Sequence, residues 1–282
     1  LKKAGKRGRV VYHDIRGVYR RFLHSFIDLR KLEKLKVVVD AGNGMAGKMV
    51  PVIYRGLPLE VVRMYFKLDG KFPNHVPNPA IKKNLRDLQQ RVKKENADLG
   101  ITFDGDMDRV VFVDDKGRAV SSSLTAALLI RHLLNKKKNY GVVYNLVMSK
   151  IVPEIIKESG GKAYREKVGH SYIKERMHKE NAVFGCEHTG HFYYKKNYYA
   201  DSGFITSLIF LELVSSIHKD GKKLSDVVDS LKRYSSIDEY SLAVENIEEV
   251  IKKVEKFYRK MQGLKKLDYL DGLTIEFNDF WF

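Results

Sequence analysis

Short runs of consecutive apolar residues alternate along the chain with stretches in which apolar positions recur every three or four residues. Val37, Val38 and Val39, between Lys36 and Asp40, read as a short strand buried on both faces. A glycine-rich turn, Gly42–Gly47, then leads into a helix reaching about Arg55. A strand over Leu59–Phe66 follows, then a loop over Asp69–Pro79 punctuated by Gly70, Pro73, Pro77 and Pro79. A helix over 80–96 precedes strands at Asp98–Phe103 and Arg109–Asp114, joined by a tight acidic turn. Ahead of all these, Val18, Phe22, Phe26 and Leu29 fall at helical spacing within Gly17–Leu29.

A second cycle begins near Ala119. It predicts helices at Leu124–Leu134, Lys150–Ser159, Tyr172–Lys179 and Phe204–His218, with Gly160 and Gly161 stopping the second of them. Between them lie strands at Gly141–Leu146, near Ala163–Arg165, at Ala182–Phe184 and at Phe192–Lys195. From near Ile237 only a helix, Ile247–Met261, and a strand, Leu273–Phe277, follow. These cannot bury a core alone, so the piece is expected to dock on the rest or to be part of something larger. Strands alternating with helices of this length predict α/β layers: two consecutive α/β sandwich domains with mixed, mainly parallel sheets, plus a partial C-terminal α+β domain.

Composition narrows the class. With 282 residues, 44% apolar and 31% charged, the chain is of ordinary globular make-up and large enough for about two domains. Its most apolar stretch, Phe204–Val214, is short and interrupted by Glu212, so no membrane span of about 20 apolar residues is expected. No apolar signal core follows the basic start, and Leu1 is not an initiator methionine. A single cysteine, Cys186, excludes an internal disulfide and a multi-cysteine zinc site and fits a cytoplasmic protein. Of the net charge of +17, more than half sits in residues 1–36, which hold twelve Lys/Arg against three Asp/Glu. That distribution, without an aromatic-interleaved basic motif, favours a solvated basic segment over nucleic-acid binding. It equally suits a binder of small anions.

The candidate chemistry lies in turns. Asp104, Asp106 and Asp108 alternate in a glycine turn between two strands and are followed by Arg109. Alternate side chains of an extended segment point the same way, so the carboxylates should converge, which is costly without a cation. Oxygen-only ligands select Mg²⁺ or Ca²⁺. A helix-flanked calcium loop is disfavoured, because Arg109 stands where it needs glycine and Asp115 where it needs glutamate. A solvated acidic hairpin remains the bland reading. Gly185–His191 frames Glu187, Thr189, His188 and His191 between glycines, a set suited to clamping sugar hydroxyls; as metal ligands, Glu187, His188 and His191 match no common zinc spacing. Lys167–Ser171 opens a helix, where backbone N–H groups favour phosphate, although Ser171 reads equally as a plain N-cap. Gly42–Gly47 also matches a dinucleotide fingerprint, but no acidic residue ends the next strand.

Taken together and in order, these segments resemble the phosphohexomutase family, the phosphomannomutase/phosphoglucomutase enzymes. The resemblance runs through Val37–Asp40 with its glycine turn, Asp69–Asn74 and Pro77–Pro79, the Asp104–Arg109 loop, Lys167–Ser171 and Glu187–His191. Asp271, Gly272 and Leu273 are similar to the start of the family's last domain. The resemblance implies four domains around a cleft: 1–17 would end domain one, 18–118 form the metal-binding domain two, 119–235 the sugar-binding domain three, and 236–282 part of domain four. It implies that Asp104, Asp106 and Asp108 bind Mg²⁺ and that Arg109 assists a phosphoserine region. Glu187 and Thr189 would hold sugar hydroxyls, Lys167, Gly169 and His170 would contact the phosphosugar, and His191 would move protons.

The implied reaction shifts phosphate reversibly between C1 and C6 of a hexose phosphate, through a phosphoserine and a bisphosphate intermediate. A hexose 1,6-bisphosphate would activate the complete enzyme. The implied partners are a hexose phosphate, with no membrane and no nucleic acid, and the implied state is a monomer or weak dimer. Two departures matter: no serine lies in a phosphoserine-type loop (Ser121–Ser123 are misplaced for one), and no arginine-rich phosphate loop is present. Cys186 and Thr189 stand where glycine and serine are commoner in the family. The chain is therefore expected to be inactive as it stands. A catalytically inactive sugar-phosphate-binding module and a basic nucleic-acid-binding protein are the other readings. If the resemblance holds, Glu187, Thr189 and His191 should share a cleft with the acidic loop, and the Glu187 carboxylate should be open to solvent.

Overall fold

The computed structural model describes residue 5 and residues 8–135, 139–237 and 241–282; the first part of the basic tail lies outside them. After helix α1 (Arg16–His24), the chain runs β1 (Leu35–Asp40), α2 (Ala46–Ile53), β2 (Leu59–Met64), α3 (Arg86–Glu95), β3 (Leu99–Phe103), β4 (Val110–Asp114) and β5 (Ala119–Val120). The strands form one sheet in the order β2-β1-β3-β4-β5. Strand β1, buried at every position but Lys36, pairs in parallel with both β2 and β3, as its unbroken valines require. β3 and β4 are antiparallel, and their last pair, Phe103 and Val110, closes the acidic turn.

The second unit repeats this plan. It comprises α4 (Ser122–Leu134), β6 (Gly141–Asn145), α5 (Ile151–Glu158), β7 (Lys162–Glu166), α6 (His170–Lys179), β8 (Phe184–Cys186) and β9 (Phe192–Tyr194). Its strand order, β7-β6-β8-β9, is that of β2-β1-β3-β4, again with three parallel strands and an antiparallel last one. Ser121 caps α4, accepting from Leu124 N–H at 3.3 Å, which accounts for the start of the serine run. Strand β8 lies two residues beyond its expected position, and the sequence pattern did not reveal the short strand β5, α8 (Leu224–Leu231) or β10 (Leu264–Asp268).

Helix α7 (Gly203–Lys219) joins the units. It buries 14 of its 17 residues, so its apolar character reflects a place inside the protein. Phe210 stacks on Phe112 of β4 with ring centroids 3.8 Å apart, and Thr206 exchanges a 2.8 Å hydrogen bond with Tyr194 of β9. One continuous apolar cluster consequently runs through both sheets. Glu212, the acid that interrupts the helix's apolar run, is buried and accepts from the Asp28 N–H at 3.4 Å, with His132 of α4 equally near. No helix among the described residues is long and apolar enough to cross a membrane.

The C-terminal piece, α9 (Ile247–Tyr258), β10 and β11 (Thr274–Phe277), forms a two-stranded antiparallel sheet. It docks on the second unit through Lys150–Glu276 at 2.7 Å and Arg165–Asp268 at 3.0 Å.

Candidate functional site

The β3–β4 and β8–β9 hairpins occupy equivalent places in the two units, and they meet. Arg109 and His191 form a backbone bridge, and Val110 N–H donates to the Gly190 carbonyl at 3.2 Å. The acidic turn is seated on the glycine turn after β1: Met45 N–H donates to the Gly105 carbonyl at 3.0 Å. A Cβ on Gly44 would lie 2.7 Å from that same oxygen, so this glycine serves a close backbone approach. That role replaces the dinucleotide reading of Gly42–Gly47.

Asp104, Asp106 and Asp108 each bring a carboxylate oxygen within 4.8 Å of the others. Asp104 is buried, Asp108 half-buried and Asp106 exposed. Arg109 anchors the first, with its backbone N–H 3.1 Å from Asp104 Oδ1 and its Nε 2.8 Å from Oδ2, while its Nη1 reaches Asn78 Oδ1 at 3.3 Å. Asp108 is left with the strain of the cluster. Burial, then its contact with Asp104, pushes its carboxyl up to about 7; its Oδ1, 3.7 Å from Arg109 Nε, is buried without a hydrogen-bond partner among the described residues. Converging oxygen donors and an orphaned carboxylate oxygen fit a hard divalent cation such as Mg²⁺.

His191 stands beside this cluster, its Nδ1 2.7 Å from Asp201 Oδ2 and 3.8 Å from Asp108 Oδ2. Burial opposes its charged form, but the hydrogen bond to Asp201 and the surrounding carboxylates outweigh that and raise its pKa. Asp201 also faces Lys174 Nζ at 3.3 Å.

Glu187 departs from expectation. It is only 3% exposed, and its carboxylate already accepts three donors. Tyr193 OH binds Oε2, while Gly169 N–H at 3.1 Å and Asn145 Nδ2 at 3.4 Å bind Oε1. The expected open carboxylate is thus closed by neutral donors from β6, β9 and the loop before α6. Burial and this carboxylate push the Tyr193 hydroxyl far above its ordinary pKa. Gly169, with φ +128°, is the residue before α6, so Ser171 lies inside the helix and is no cap. His170 is exposed, Thr189 is half-buried in the β8–β9 turn, and Lys167 Nζ lies 5.6 Å from the centre of the Tyr172 ring. The structure thereby links the acidic turn, the Glu187–His191 turn and the Lys167–His170 loop. Asn145, Lys174, Tyr193 and Asp201 were missed in the sequence; only Asp201, just ahead of the Ser202 cap of α7, left a local signal.

A pair of α/β/α units with these hairpins facing one another defines the class. Residues 9–117 match the model of phosphoglucomutase/phosphomannomutase α/β/α domain II, and residues 121–234 that of domain III. The chain belongs to the phosphoglucomutase/phosphomannomutase family. It is 36% identical over 265 residues to phosphohexose mutases of Xanthomonas campestris, covering 94% of this chain and 58% of the relative. It is 34% identical to a phosphomannomutase of Escherichia coli, covering 98% of this chain and 61% of the relative. A solved phosphoglucomutase/phosphomannomutase family protein from Burkholderia thailandensis superposes with a TM-score of 0.83 at 28% identity, over 95% of this chain and 57% of that one. The chain thus spans about three-fifths of the length of the curated relatives it matches.

Proposed function

We propose that these residues form the metal- and sugar-holding part of a phosphohexomutase, which moves phosphate reversibly between C1 and C6 of a hexose phosphate through a phosphoserine and a bisphosphate. The observation that carries the reading is the meeting of the two hairpins, with Asp108 3.8 Å from His191 Nδ1. Phosphoryl transfer needs charge neutralisation and a proton carrier side by side.

Asp104, Asp106 and Asp108 would hold Mg²⁺, which supplies neutralisation of charge on a transferring phosphoryl group. Arg109 fixes the Asp104 carboxylate through Nε, sets Nη1 against Asn78 Oδ1, and would assist the phosphoserine region of the complete enzyme. His191 takes and returns the proton of the reacting sugar hydroxyl. Lys167, Gly169 and His170 hold the phosphate of the sugar. Thr189 and Glu187 hold its hydroxyls, Glu187 by exchanging one of its present donors for a sugar O–H. A hexose 1,6-bisphosphate primes the complete enzyme. The 282 residues contain no serine in a phosphoryl-storing loop, so by themselves they bind but do not turn over.

Titration calorimetry tests this. Mg²⁺ should bind the chain and lose tenfold or more in affinity in Asp106→Ala, roughly the loss of one strong charged contact. Glucose 1-phosphate or mannose 1-phosphate should bind without being converted. Equal Mg²⁺ affinity in the two proteins would remove the metal-holding role, and turnover by the chain alone at about 1 per second would overturn its inactivity by itself.

A further inference from the structure

His191 is held at one ring nitrogen. Its Nδ1 is 2.7 Å from Asp201 Oδ2, and among the described residues no hydrogen bond reaches Nε2. Asp201 is itself pinned from three directions. Its backbone pairs with Tyr193, it immediately precedes the Ser202 cap of α7, and its Oδ1 faces Lys174 Nζ at 3.3 Å. Lys174 in turn lies 5.5 Å from the centre of the Tyr193 ring, so α6, β9 and the start of α7 all bear on one carboxylate. The Asp201 side chain is 11% exposed, which leaves it little freedom to turn away.

The geometry points to Asp201 as the positioning residue that locks His191 in its Nδ1–H tautomer and leaves Nε2 as the nitrogen that exchanges a proton with the sugar hydroxyl. This rests on the mutase reading for the identity of the hydroxyl, but not for the tautomer. A carboxylate can only accept, so Nδ1 must donate; in a neutral imidazole the other nitrogen is then a bare acceptor. Asparagine at the same place can turn its amide and donate to Nδ1, which drives the proton to Nε2 and leaves a histidine of the wrong polarity. Asp108, His191 and Asp201 also bring ligand atoms within 4.8 Å of one another. A cation bound among these three would have to displace the Nδ1 proton, so the two arrangements exclude each other.

The test is a two-bond ¹H–¹⁵N correlation spectrum of the ¹⁵N-labelled chain, treated with chelator and at a pH where the imidazole is neutral. The His191 signals are assigned by their loss in His191→Gln. The wild-type chain should show the Nδ1–H pattern by roughly tenfold or more over Nε2–H, the bias expected of a charge-assisted hydrogen bond. Asp201→Asn should equalise or reverse it, while Lys174→Met should leave it in place. An Nε2–H or evenly mixed pattern in the wild type overturns the assignment, whether or not Asp201→Asn folds. So does an unchanged pattern in Asp201→Asn, or a Mg²⁺ titration that replaces the Nδ1 proton by a metal bond. Because no sugar is present, this result can fail while glucose 1-phosphate binding holds, and the reverse.

Discussion

The β3–β4 and β8–β9 turns sit at the same place in two copies of one strand plan, yet they handle negative charge in opposite ways. In the first, three aspartates crowd together; Arg109 hydrogen-bonds Asp104 and lies 3.7 Å from Asp108 Oδ1, which is buried without a hydrogen-bond partner among the described residues. In the second, Glu187 is more deeply buried and still well satisfied, because Tyr193, Gly169 and Asn145 each give it a proton. A carboxylate answered by protein donors stabilises the fold by itself. One left without a hydrogen bond is a cost to the fold. The scaffold is thus indifferent to the chemistry; the residues that reach the turn from neighbouring elements decide it.

The two units share one apolar core, and the largest expected effect tests that. Phe210→Ala removes a ring stacked on Phe112 between the sheets and should cost about 3–5 kcal/mol. Urea unfolding followed by near- and far-UV circular dichroism should still give a single transition. Two transitions, only one of them shifted, would show the units to be independent.

Glu187→Gln should cost about 2 kcal/mol, because its amide NH₂ would face one of three donors now met by a carboxylate. An unchanged urea midpoint would mean that the donors relax freely. Asp108→Asn should act with the opposite sign. Asp108's folded pKa, about 7, lies above the ordinary 3.8, so its charge destabilises the metal-free protein progressively as pH rises from about 4 through 7. At pH 8 in chelator the variant should therefore be more stable than wild type, by about 1–2 kcal/mol once the 40% exposure of the side chain is discounted. Mg²⁺ should then raise the melting temperature of the wild type and not of the variant. A variant destabilised in chelator would contradict the uncompensated charge.

The smallest effect concerns the loop before α3. His75 Nε2 lies 2.9 Å from Asp40, chiefly through which its pKa rises from 6.5 to about 8. A raised folded pKa means stability that is complete below about 6.5 and lost as pH climbs through 8. That loss should be about 1 kcal/mol, and His75→Gln should flatten this part of the pH profile. A profile with the same slope in both proteins would place the pH dependence elsewhere.

Local pattern made much of this legible. The valine run of β1 behaves as the spacing implies. The carboxylates of Asp104, Asp106 and Asp108 do come together, but in a bent turn with Met107 at φ +72° and not along an extended segment. Strand β8 was misplaced by two residues because Ala182 and Val183 are apolar but belong to the turn that enters the strand. The burial of Glu187 was not legible, because two of its donors lie 18 and 42 residues away.

Most strands and helices, the place of the acidic turn and the family were already legible in the chain, since each is written in short-range periodicity or in contiguous motifs. That α7 lies between the two sheets, that Asp201 holds His191 and that Glu187 is closed by neutral donors became visible only once the chain was folded. Those outcomes depend on which distant side chains the folded sheets bring within hydrogen-bond reach, and periodicity carries no record of such distances.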